Sequence, residues 1–160
     1  MSVQSVTMPS LPLTGGCQCG DVRYRIKAVP YVFYLCHCTE CQRQTSSAFG
    51  ESLRVRSEHL EVEGNLKTFR RMAESGAARE GHFCPACGVR IVHGTAGSEM
   101  VNIKAGTLDD ASWLVPAGHI WTRSKQRFIA IGVEELSYDQ QPTDGYAAMA
   151  ERWRGMLSSN

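Results

Sequence analysis

The sequence predicts a mainly β protein, a meander of short strands clipped together by clustered cysteines and finished by one C-terminal helix. Three observations carry this reading. Apolar residues recur with a two-residue period over much of the chain, glycine-bearing turns separate those runs, and seven cysteines stand in three tight clusters.

With 160 residues, 42% of them hydrophobic, the chain can bury one sizeable core, and one domain is expected. Residues 1–14 lack apolar periodicity and are expected to form a flexible N-terminal segment. Residues 15–141 are expected to form the zinc-binding domain, with residues 142–160 as a helix packed on it.

After Gly15-Gly16, Val22, Tyr24, Ile26 and Ala28 alternate with Arg23, Arg25 and Lys27, the pattern of a half-buried strand. Short apolar or alternating runs follow at Val32 to Leu35, Ser52 to Arg56, Leu60 to Glu63, Leu66 to Arg70, Val89 to His93, Met100 to Ala105 and His119 to Thr122. Turns are supplied by Gly64-Asn65, Ser75-Gly76 and Gly94 to Gly97, where glycine can take positive φ. The tail changes period: Tyr146, Met149, Ala150, Trp153 and Leu157 share one helical face, and Asp144 can cap the helix just after Pro142. Its aromatic stripe reads as a packing face.

Seventeen Lys and Arg oppose sixteen Asp and Glu, a formal charge of +1 with no long run of either sign, which argues against nucleic acid or anionic lipid as a partner. No stretch reaches the roughly 20 apolar residues of a membrane span. The first sixteen residues lack the basic start and apolar run of a secretory signal. A cytoplasmic location is therefore expected. Thiols persist in a reducing compartment, so clustered cysteines there are ligands or redox groups rather than disulfides.

An odd number of cysteines cannot all pair. They divide into Cys17-x-Cys19 with Cys84-x-x-Cys87, and the triplet Cys36-x-Cys38-x-x-Cys41. Phe83-Cys84-Pro85-Ala86-Cys87-Gly88 has the form of a zinc knuckle, and Cys17 and Cys19 supply the second pair of a closed structural site. Cys36, Cys38 and Cys41 offer three sulfurs to a second ion, and the fourth position is open unless a histidine fills it. The expected cofactor is zinc, two ions per chain, since thiolate sets favour it over harder metals. Three thiolates make zinc an electron-rich, weak Lewis acid, better suited to holding a nucleophilic substrate thiolate than to activating water.

Taken in order, Gly16-Cys17-Gln18-Cys19-Gly20-Asp21-Val22-Arg23-Tyr24, Cys36-His37-Cys38-Thr39-Glu40-Cys41-Gln42-Arg43, Phe83-Cys84-Pro85-Ala86-Cys87-Gly88 and Ala105-Gly106-Thr107-Leu108-Asp109 resemble the glutathione-dependent formaldehyde-activating enzyme family, which also contains centromere protein V. The resemblance runs from about Gly15 to Trp121. It implies an Mss4-like fold of coiled antiparallel sheets, structural zinc on Cys17, Cys19, Cys84 and Cys87, and catalytic zinc on Cys36, Cys38 and Cys41. It also implies carbon–sulfur lyase activity that joins glutathione and formaldehyde to S-hydroxymethylglutathione, with glutathione as the small-molecule partner. Ser46 stands where many relatives have glycine, and Phe128 where tryptophan is frequent. Both departures bear on pocket shape.

Two other function classes compete. A non-enzymatic zinc module for a protein or nucleic-acid partner would need both metals for folding alone. A thiol redox enzyme of the methionine sulfoxide reductase kind would need a free cysteine, and none is left if both sites fill. His37, between two ligands on extended backbone, is expected to point away from the ion, into its surroundings or solvent. Arg43 is a candidate for a substrate carboxylate, with Lys104, Arg123 and Lys125 weaker ones.

Overall fold

The computed structural model describes residues 4–73 and 75–158; residues 1–3 of the N-terminal segment and 159–160 of the C-terminal segment lie outside the described residues. The chain forms strands β1 (Leu13–Gly16), β2 (Arg23–Ile26), β3 (Val32–Cys36), β4 (Gly50–Arg56), β5 (Leu60–Glu63), β6 (Lys67–Met72), β7 (Ala78–Phe83), β8 (Arg90–Thr95), β9 (Met100–Lys104), β10 (Gly118–Ile120) and β11 (Leu136–Tyr138), of which β1, β7 and β11 lie outside the runs read from the sequence. Among the described residues two α-helices accompany them, α1 (Thr39–Thr45) and α2 (Ala147–Ser158), with three single-turn 3₁₀ helices. The protein is mainly β, as its periodicity predicts. No described helix is long and apolar enough to cross a membrane.

The chain divides into two compact units, each holding one of the two cysteine groups. The four-cysteine unit comprises Pro9–Tyr31 and Leu53–Ser112. In it β1, β2 and β5 form an antiparallel sheet in which Leu13 opposes Ile26 and Tyr24 opposes Val62. The alternation read from the sequence is real: Tyr24 and Ile26 are buried while Arg23 and Arg25 face out. Gly15 cannot carry a side chain, because a Cβ there would collide with the Tyr24 hydroxyl and the Thr107 carbonyl. That close approach lets the Tyr24 and Thr107 hydroxyls share a 2.9 Å hydrogen bond. Arg23 and Thr14 both bond the Asp109 carboxylate, tying the Ala105 to Asp109 segment to β1 and β2. Strands β6, β7, β8 and β9 pair antiparallel in that order, with a register shift between His82 and Phe83 just before the knuckle cysteines.

The three-cysteine unit comprises Met1–Met8, Val32–Ser52 and Trp113–Asn160. Here the strands run parallel rather than antiparallel: β10 lies beside β3, with Ile120 opposite Cys36, and beside β11, with Gly118 opposite Leu136. Long connections separate these partners in the chain, and parallel pairing requires such crossovers whereas a tight turn would force the antiparallel form. Val32, Phe33 and Tyr34 are all buried, the continuous apolar run of a strand covered on both faces. One cover is α2, whose Met149, Ala150, Trp153 and Met156 are at most 1% exposed. The Trp153 ring meets Phe33 edge-on at 6.2 Å and Trp113 at 5.9 Å. Asp144 caps this helix as expected, its carboxylate accepting from the Tyr146 and Ala148 N–H groups. In the N-terminal segment Val6 is buried, its N–H donating to the Met156 carbonyl at 3.0 Å.

Candidate metal centres

Both pairs of the four-sulfur group sit in turns that glycine closes. After Cys17 and Cys19 comes Gly20 at φ 88°, and after Cys84 and Cys87 comes Gly88 at φ 77°. These left-handed positions reverse the chain within one turn, so Gly20 N–H reaches the Cys17 carbonyl and Gly88 N–H the Cys84 carbonyl. All four sulfurs lie within 4.8 Å of one another. Two of the separations, 3.5 Å for Cys17 to Cys19 and 3.7 Å for Cys19 to Cys84, match the edge of about 3.8 Å in a tetrahedron of Zn–S bonds near 2.3 Å. The donor set therefore fits zinc. The Val22 N–H donates to Cys17 Sγ at 3.2 Å. Burial raises the Cys17 thiol, but this bond and those from neighbouring thiols outweigh it and leave the pKa below the ordinary value. The Val89 N–H, with the Cys19 N–H, pulls Cys87 down to about 6. Cys19, drawn down by the Asp21 N–H, is nonetheless pushed up to about 12 by the crowded sulfurs around it.

The triplet is arranged by a helix and a strand. Cys36 ends β3 and is buried, whereas Cys38 is the N-cap of α1 and Cys41 lies in its first turn. Cys38 Sγ accepts the Cys41 N–H at 3.3 Å, doing what a serine or aspartate does at that position. Hydrogen bonds from the Cys36 and Cys41 thiols, with that N–H, pull Cys38 down to about 2, while the same sharing pushes Cys36 strongly up. Only a cation among them lets all three ionise together, which is what a soft divalent metal requires of its ligands. The three sulfurs also lie within 4.8 Å of one another, and among the described residues no other Cys, His, Asp or Glu joins the group. Among the described residues, no Cys, His, Asp or Glu side chain supplies a fourth ligand.

A family model for the glutathione-dependent formaldehyde-activating enzyme matches residues 12–124. The chain belongs to this family. A Halomonas elongata protein named as a candidate glutathione-dependent formaldehyde-activating enzyme is 33% identical over 104 residues, 61% of this chain and 66% of the relative, just under two thirds of its length. A crystal structure of a Rhodobacter sphaeroides protein superimposes with a TM-score of 0.51 at 19% identity, covering 79% of this chain and all but 1% of that one, a likeness of fold. In this family member, then, both cysteine groups that the sequence singled out assemble, and each could hold a metal ion.

Of the two surroundings expected for His37, solvent is not the one found: it is 0% exposed, with Nε2 2.9 Å from Nδ1 of His119, which is itself buried. Its ring also meets Phe49 edge-on at 5.7 Å. Burial, with the His119 ring, lowers its pKa to about 4, so His37 is neutral near pH 7. Its ring lies against His119 of β10 rather than in water, and only the β3–β10 pairing reveals that. Glu135 stands 3.6 Å from His119 Nε2.

Gln42 was not singled out from the sequence. Its Nε2 donates to the His37 and Ser124 carbonyls, and its Oε1 accepts from Gln126 Nε2, so one amide fixes α1 to the segment after β10. Beside it lies a cavity of about 660 Å³, a hollow wide open to solvent, lined by Gln42, Arg43, Ser46 to Phe49, Gln126, Phe128 and Ile129. Ser46 and Phe128, the two departures from the family pattern, therefore meet in one cavity. Arg43 is exposed at its rim, 3.7 Å from Glu40. The weaker candidates turn to other work: Arg123 stacks on Trp121, Lys125 Nζ donates to the Ile129 carbonyl, and Lys104 is buried. Adjacency to Cys41 was the one signal for Gln42. Gln126 and Ile129 had none, since they come from a distant loop.

Proposed function

We propose that this protein is a zinc-dependent carbon–sulfur lyase that interconverts S-hydroxymethylglutathione with glutathione and formaldehyde. The observation that carries it is the three-sulfur group to which no fourth protein ligand is added among the described residues. Cys36, Cys38 and Cys41 would hold the catalytic zinc, and Cys17, Cys19, Cys84 and Cys87 the structural one. Bound there, zinc supplies charge that keeps a substrate sulfur as thiolate.

The chemistry balances without a redox partner: the glutathione sulfur adds to the carbonyl carbon, the C=O π pair goes to oxygen, and the thiol proton ends on that oxygen. The chain's own residues contribute position. Cys38 fixes the start of α1, the Gln42 amide holds that helix against the Ser124 segment, and neutral His37 adds no charge beside the sulfurs. We assign the activity to residues 15–141 and to a reducing compartment, the cytoplasm, where seven thiols persist. A thiol redox role would need a free cysteine, and none is left where both groups hold metal.

The test is exchange NMR with glutathione and ¹³C-formaldehyde on protein carrying two zinc ions. Faster formation and breakdown of the adduct than in buffer is expected, and loss of that acceleration in Cys36→Ser. No acceleration by the fully loaded protein sinks the assignment.

A further inference from the structure

We propose that the cavity beside α1 receives the organic body of a carbonyl partner larger than formaldehyde, so that the substrates include glutathione adducts of apolar aldehydes. This rests on the lyase reading above. The cavity is open on its solvent side, and its volume of about 660 Å³ lies within the roughly 300–1,000 Å³ of sites for whole organic ligands. Formaldehyde has two heavy atoms and would leave nearly all of that space to water.

The lining decides what fits. Ala48, Phe49, Phe128 and Ile129 are apolar. The two amides are already engaged: Gln126 Nε2 donates to Gln42, and Gln42 donates to two carbonyls. Ser46, Ser47 and Arg43 supply the remaining polar groups. The glutathione peptide carries two carboxylates and an ammonium, and the lining offers one cation and no carboxylate for them. An apolar body suits it better. Phe128 is 75% exposed, so its ring is apolar surface that an apolar ligand would withdraw from water. None of the three cysteines lines the cavity, which begins one residue beyond Cys41. The reacting sulfur and carbon belong at the triplet, and the cavity holds what extends past them. The addition balances as it does for formaldehyde, because the aldehyde's body takes no part in bond formation.

Two unreactive probes separate the cavity from the reaction. Titration calorimetry of the zinc-loaded protein with S-hexylglutathione and S-methylglutathione is expected to show the hexyl compound binding about tenfold tighter or more, from methylenes taken out of water. In Phe128→Ala, whose exposed position leaves folding intact by circular dichroism, that ratio should fall severalfold. Equal affinity for both probes, or a hexyl preference untouched in Phe128→Ala, overturns the cavity assignment, and formaldehyde turnover then stands or falls on its own. Binding of neither probe, together with no formaldehyde turnover, overturns the lyase reading and this one with it.

Discussion

Ser46 ends α1 at φ 52° and ψ 36°, left-handed backbone that costs an ordinary residue about 1–2 kcal/mol and glycine nearly nothing. Replacing it with glycine also frees the unfolded chain, which returns about 0.4–1 kcal/mol of that gain. Ser46→Gly is therefore expected to stabilise the protein by about 0.5–1 kcal/mol, read as a higher urea midpoint at unchanged slope. A lower midpoint would show that the serine hydroxyl makes a contact worth more than the strain. The sequence marked Ser46 as unusual without revealing why glycine suits the place, because φ at a helix end depends on where the helix stops. His37 shows the opposite failure: local backbone predicted its direction away from the sulfurs, but its burial against His119 comes from a residue 82 positions away.

Among the elements, legibility followed length and period. β2 formed within its alternating run, and α2 formed over Ala147–Ser158, beginning after Tyr146, whose left-handed backbone at φ 76° puts it outside the helical face that its spacing predicts. α1 spans seven residues, too short for a helical stripe, and is held by the Cys38 cap and the Gln42 amide rather than by an apolar face. β11 has three residues and exists because β10 pairs with it. That pairing rests on Gly118, where a Cβ would sit 2.7 Å from Met149 Sδ and 2.8 Å from the Leu136 carbonyl oxygen. The sulfur can swing aside, but the backbone oxygen belongs to the partner strand. Gly118→Ala is expected to cost about 1–3 kcal/mol, as overpacking does. Calorimetry would read this as a Tm lowered by about 2–4 °C per kcal/mol. An unchanged Tm would mean that β11 yields without loss.

For the molecule as a whole, the two cysteine groups lie in separate compact units, so their metals should leave separately. On the reading proposed above, Cys17, Cys19, Cys84 and Cys87 would close a structural site from two turns, and a metal held there would contribute on the order of 10 kcal/mol to folding. The triplet would give three ligands from one short segment, and its unit has an apolar core around Trp153 that contains none of them but Cys36. A zinc chelator titrated in slowly is expected to remove one equivalent first, abolishing adduct turnover while far-ultraviolet circular dichroism holds. The second equivalent should then leave with unfolding of the four-cysteine unit. Acid should reproduce the order: ligand thiols must be deprotonated, so metal affinity falls with falling pH, and the site with fewer ligands yields first. A metal-sensitive dye read alongside circular dichroism and turnover checks both series. Release of both metals in one step, with unfolding, would mean that the triplet also serves the fold, and would favour a zinc-clipped interaction module over an enzyme.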